Sequence, residues 1–142
     1  MTTDYPKADV SIRLIAFLID LAVYVVIWVL LFFWLRLGNY LTGLAAGLYI
    51  VFRDGLFNGQ SVGKKLMRQR VIRRDSEDAC DFTHSVKRNI ILYIPNLFRF
   101  INFFGGILGV VIVALELYFI FTNEKGLRWG DQFAETQVIN ET

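Results

Sequence analysis

Three apolar stretches of this chain each carry an acid where an acid is costly. Asp20 lies inside residues 14–35, Asp54 follows Arg53 near the end of residues 40–57, and Glu116 lies inside residues 107–121. Placing Asp at the centre of a membrane span costs about 2.5 to 3.5 kcal/mol, so each acid needs a reason to be there. A carboxylate in such a place can pair with a cation of the chain and fix helix registry. It can also exchange a proton or hold a cation. Depth along a helix, at about 1.5 Å per residue, puts Asp20 roughly 10 Å in from Arg13. The same measure puts Arg53 roughly 7 Å in from Asn58 and Glu116 roughly 10 Å in from Asn123. The ionisable groups thus share one shallow layer. Arg53 is the expected partner of Asp20, because Arg13 is about two turns away along the same helix.

Residues 59–65, GQSVGKK, invite comparison with a phosphate-binding loop. That loop needs four residues between its glycines and Ser or Thr after its lysine. Here three residues, including Ser61, separate Gly59 from Gly63, and Lys65 follows Lys64. The stretch reads instead as a tight glycine turn leaving the second helix, with its lysines meeting anionic headgroups. Cys80 and His84 each stand alone, without metal-ligand spacing. No nucleophile–base or paired-acid arrangement occurs in the polar parts. No enzymatic activity, metal or cofactor is expected, and nucleic acid is not an expected partner. Gly43 with Gly47, and Gly105 with Gly109, have the GxxxG spacing that permits close helix contact, within a bundle or between subunits.

The elements that must position these residues are long apolar runs. The chain has 142 residues, 55% of them hydrophobic, above the roughly 45–50% of soluble domains. A single unit is expected: a polar tail at 1–11, a first span at 12–36, a second at 40–57, a basic loop at 58–86, a third segment at 87–104, a fourth at 105–122 and a polar tail at 123–142. Asp9 or Ser11 can cap the first helix. The link between the first two spans is so short that they form an antiparallel hairpin. The opening lacks the basic start and short apolar core of a cleavable leader, so the first helix is read as a retained anchor.

The net charge of +2 conceals a pattern. Lys64, Lys65, Arg68, Arg70, Arg73 and Arg74 crowd the central loop, whereas the outer link offers Arg36. Basic loops mark the cytoplasmic side, so both termini and the central loop are expected there, in a bacterial plasma (inner) membrane. Residues 89–122 must then cross twice or not at all. Their first half is the weak one, with Pro95 and a polar stripe of Asn89, Asn96, Arg99 and Asn102. It is read as a short crossing helix, a helix broken at Pro95, or an amphipathic helix in the interface. Trp129 suits an interfacial anchor, and Asp131 can cap a short helix from Gln132.

Three segments of the chain resemble the RDD family of small membrane proteins, named for one arginine and two aspartates. They are Arg13-Leu-Ile-Ala-Phe-Leu-Ile-Asp20, then Gly59-Gln-Ser61-Val-Gly63-Lys64 with Arg70-Val71 after it, and Asp131-Gln-Phe-Ala-Glu-Thr-Gln-Val138. One departure is Glu135, where the family often has glycine. The resemblance implies that Arg13, Asp20 and Asp131 are the defining set. Members are often proposed to act in transport, some in monovalent cation/proton exchange, and others as partners in membrane assemblies. With a cytoplasmic tail, Asp131 lies where Arg13 begins the first helix, and a bridge between them would close the bundle.

The expected fold is an all-α integral membrane bundle of about four helical segments. The first expected function is support of cation or proton movement by a homo-oligomer or larger assembly, with Asp20 titrating and Arg53 or Arg13 tuning it. The second is a non-transporting assembly or scaffold subunit in which Asp20, Asp54, Glu116 and their partners set registry.

Overall fold

The computed structural model describes residues 4–101 and 103–141. Helices α1 (Val10–Trp34), α2 (Asn39–Phe52), α4 (Phe82–Leu97) and α5 (Phe104–Thr122) form the body. Two one-turn helices, α3 (Val62–Leu66) and α6 (Trp129–Phe133), and two strands, β1 (Gln69–Arg73) and β2 (Thr136–Asn140), occupy the segments between and after them. The body is the expected pair of hairpins. The strands are a departure from an all-α reading.

Helix α1 is built inside out. Its buried residues are Arg13, Ala16 and Asp20, while Leu18 is 61% exposed and Phe33 67%. In water this would reverse the usual burial order; a hydrocarbon surround suits it. Its 25 residues span about 37 Å. By length and composition α1 and α5 are each able to cross a membrane. Asp9 caps α1, accepting from the Ser11 and Ile12 amides at 2.8 and 3.2 Å.

The second and third segments differ from expectation. Helix α2 ends at Phe52, after 14 residues or about 21 Å, and Arg53–Gly55 tighten into a 3₁₀ turn. The cause is Ser85 of α4, whose hydroxyl donates to the Val51 carbonyl at 2.7 Å and accepts from the Asp54 amide at 3.2 Å. Helix α4 begins inside the segment assigned to the basic loop, because Asp81 caps it through the His84 amide at 2.8 Å. It is not broken at Pro95, which sits in its last turn. Its polar stripe does not face headgroups: Asn89 and Asn96 are buried, and the stripe packs on α2. A Cβ at Gly43 would meet the Arg99 guanidinium at 2.5 Å, and one at Gly47 the Tyr93 ring at 2.6 Å. Both glycines therefore serve packing within the chain. Asn102, the fourth stripe residue, lies outside the described residues.

Strands β1 and β2 pair antiparallel, with Val71 opposite Val138. Ala8, Val71, Cys80 and Val138 form a small buried cluster there. The sheet ties the central loop to the tail, so the start of α1, the loop and the tail meet at one end of the bundle.

Candidate functional site

Asp20 is held in a socket made by the glycine turn. Ser61 caps α3, its oxygen accepting from the Lys64 amide at 3.2 Å, and its hydroxyl donates to Asp20 Oδ2 at 2.6 Å. The Gly63 amide donates to Asp20 Oδ1 at 2.8 Å, as does the Tyr49 hydroxyl at 2.9 Å. Gly63 must be glycine for α3 to come this close: a Cβ would stand 2.0 Å from the Ala16 carbonyl oxygen. Arg53 is the expected ionic partner, at 3.6 Å from Oδ2. It is the loosest of the four contacts, and its guanidinium also rests 5.6 Å from the centre of the Phe17 ring.

Two further acids sit at the same end of the bundle. Asp54 accepts from Lys64 Nζ at 2.6 Å and Asn89 Nδ2 at 2.8 Å, and faces Arg88 Nε at 3.4 Å. Asp131 meets Arg13 Nη2 at 2.5 Å, Arg88 Nη2 at 2.7 Å and Arg128 Nε at 3.4 Å. The expected Arg13–Asp131 bridge is thus present, within a larger network. Asp131 does not cap its helix from outside. It lies within α6 and accepts from the Arg128 amide at 3.3 Å. Gly130 lets α6 press on α4: a Cβ there would stand 2.0 Å from the Arg88 carbonyl oxygen.

Glu116 completes the cluster from α5. Its Oε1 accepts from the Gly130 amide at 3.3 Å, and its Oε2 lies 3.6 Å from Arg128 Nε without a hydrogen bond. Between α1, α4 and α5 opens a cavity of about 50 Å³. Arg13, Arg53, Lys64, Arg88 and Arg128 line it, and Glu116 is the acid on its wall.

Burial and charge set the protonation outside the spans. Burial pulls Lys64 down from an ordinary lysine's 10.5 to about 8; Asp54 opposes this, and Arg53 and Arg88 add to it. Burial alone would raise the Asp131 carboxyl, but Arg88, Arg13 and Arg128 overrule it and hold the group below its usual 3.8.

The structure therefore brings together Arg13, Asp20, Arg53, Asp54, Glu116 and Asp131, with Ser61, Gly63 and Lys64. Lys64 is 6% exposed and paired with Asp54, so it does not reach headgroups as expected; Lys65 is exposed, over the Phe57 ring at 4.3 Å. Gly59 lies apart from the cluster: its φ is 85°, and its carbonyl accepts from the Val71 amide at 2.7 Å. Sequence reasoning misses Arg88 and Arg128, which are 1% and 6% exposed, because each falls in a polar segment. One signal was present: three embedded acids, Asp20, Asp54 and Glu116, require more buried cations than Arg13 and Arg53.

No match was found among curated proteins or among solved structures. The RDD family model matches residues 7–135. On that match, which takes in the start of α1, the glycine turn and Asp131, the chain belongs to the RDD family.

Proposed function

We propose that this chain is a membrane-spanning assembly subunit whose buried charges fix helix registry, and that it does not itself carry cations. One observation supports the reading most strongly. Both oxygens of Asp20, Asp54 and Asp131 are already engaged by donors of the chain itself. A cation entering would have to displace lysine from Asp54, arginine from Asp131, and two hydroxyls and a backbone amide from Asp20. The basic groups Arg13, Arg53, Lys64, Arg88 and Arg128 also outnumber the acids Asp20, Asp54, Glu116 and Asp131, which disfavours a second cation. The charge-rich end faces the cytoplasm by the positive-inside rule, in a bacterial plasma membrane. The outer half of α1 is left uncovered, Trp34 being 85% exposed, and offers a face for lipid or a second copy.

One feature favours a second reading, monovalent cation/proton exchange. Glu116 has an oxygen free of hydrogen bonds and stands on a cavity wall. In that case Glu116, and not Asp20, is the exchanging group.

Proteoliposomes driven by a pH gradient separate the two. Under the first reading, native protein gives no Na⁺, Li⁺ or K⁺ flux above empty vesicles, and native mass spectrometry from mild detergent gives a discrete oligomer of this chain. Flux abolished by Glu116→Gln, in protein that still folds, would establish the second. A strictly monomeric chain without flux would overturn both.

A further inference from the structure

The cavity has a mismatch of charge that the network around it does not resolve. Arg13, Arg53, Lys64, Arg88 and Arg128 face it across from one acid, Glu116, which turns toward Arg128. Arg53 Nε and Arg88 Nη1 are buried and donate to nothing, and Arg88 Nε has only its 3.4 Å ion pair with Asp54. Buried donors are normally satisfied, and leaving a charged one unpaired is costly. One unused nitrogen on each of the two guanidinium groups calls for an acceptor, and the surrounding cations favour an anion.

The space fits a particular anion. About 50 Å³ is room for roughly three or four waters, or one tetrahedral oxyanion. The rest of the lining is apolar and includes Leu14, Phe17, Val113 and Leu117. A second hollow shares Phe17, Arg53, Leu92 and Val113 with the first and is lined further along α1 by Leu21, with Ile50 of α2 and the Asp20 carboxylate, which is already held by its own donors. The strongest packing of α1 is on α2 and α3, and that of α5 on α4 and α6; α1 and α5 scarcely meet. The crevice between them therefore runs from a cationic end toward the apolar middle of the bundle. A free phosphate has no use for such a tail groove.

We propose that this crevice is a binding site for an anionic membrane phospholipid, its phosphate received by Arg53 and Arg88 and an acyl chain lying between α1 and α5. Guanidinium groups suit phosphate because their N–H groups pair with its oxygens in a fixed plane. Arg53 is the principal anchor, since its one ion pair, with Asp20 at 3.6 Å, is loose and its Nε has no acceptor. The site is separate from the exposed loop cations such as Lys65 and Arg68, which meet lipid headgroups only by diffuse attraction.

The test uses the full chain in nanodiscs and detergent. Phosphatidylglycerol is compared with phosphatidylcholine by thermal shift and by lipid retained in native mass spectrometry, with inorganic phosphate as a separate probe. Two variants are compared with native protein: Arg53→Gln, which removes the anchor, and Leu117→Trp, which fills the groove and leaves every cation in place. Native protein should retain phosphatidylglycerol at least tenfold over phosphatidylcholine, with a melting temperature raised by several degrees. Both variants should lose that preference, and millimolar phosphate should neither stabilise the protein nor compete. If Arg53→Gln fails to fold, Leu117→Trp decides alone. The proposal is overturned if native protein shows no preference, or if Leu117→Trp keeps it, which would put the lipid at the loop. An equal shift from inorganic phosphate alone would also overturn it, making the cavity a site for free anions.

Discussion

Arg13 and Asp131 are 118 residues apart in sequence and 2.5 Å apart in space. The pair lies at the centre of a network and not at its rim, because Asp131 also receives Arg88 and Arg128. Removing one member of a buried pair leaves an uncompensated charge, at a cost of about 3 to 5 kcal/mol. Asp131→Ala should cost more than Arg13→Ala, since it takes a carboxylate from three guanidinium groups and Arg13→Ala leaves the acid two. Thermal unfolding in detergent measures both. Equal and negligible losses would remove the pair from the account of stability.

The same carboxyl sets an acid limit. Its folded value lies below the usual 3.8, so between the two values the unfolded chain binds more protons than the folded one. Stability from this group is therefore complete above about pH 4 and is lost as pH falls below that. Melting curves should fall below pH 4, and Asp131→Asn should flatten that fall.

Lys64 works in the opposite range. It titrates at about 8 when folded against 10.5 for an ordinary lysine, so the unfolded chain holds the extra proton between those values. Its contribution to stability should rise with pH from 8 to 10.5. Lys64→Met should erase that rise, in the same melting experiment.

Two glycines in helices should respond with opposite sign. Gly63→Ala drives a methyl to 2.0 Å from the Ala16 carbonyl oxygen, which forces α3 off α1 and pulls the Gly63 amide from Asp20. At Gly106 a Cβ would meet nothing within 4 Å, so alanine there should stabilise α5 by about 0.5 to 1 kcal/mol. Unfolding midpoints of the two variants give the comparison directly.

Membrane disposition can be read with thiol labelling on native background. Cys80 is 2% exposed, and burial pushes its thiol up to about 11, so an impermeant maleimide should leave it unlabelled. Gly38→Cys and Lys65→Cys should label from opposite sides of sealed vesicles. Labelling of both from one side would contradict a spanning α1–α2 hairpin.

Much of this was legible in the letters for a physical reason. Membrane helices announce themselves by length and apolarity, and an acid within one demands a partner, which pointed to Arg53 for Asp20. The strands were not legible. QRVIR and TQVIN are five residues each, with the paired Val71 and Val138 lying 67 positions apart, too short for a period and paired only through the fold. Arg88 and Arg128 were hidden because a cation in a polar segment looks solvated until the packing is known. The end of α2 depended on Ser85, a residue of another helix.

Helix α1 gathers charge on its inner side and grease on its outer side, and this has a bearing on the order of assembly. During synthesis Arg13 enters before the segment that holds Asp131, so for a time it stands without its counter-ion. The tail of the chain is consequently the latch: until residues 128–140 dock, the half-made protein carries a naked cation at the start of α1, and the finished one does not.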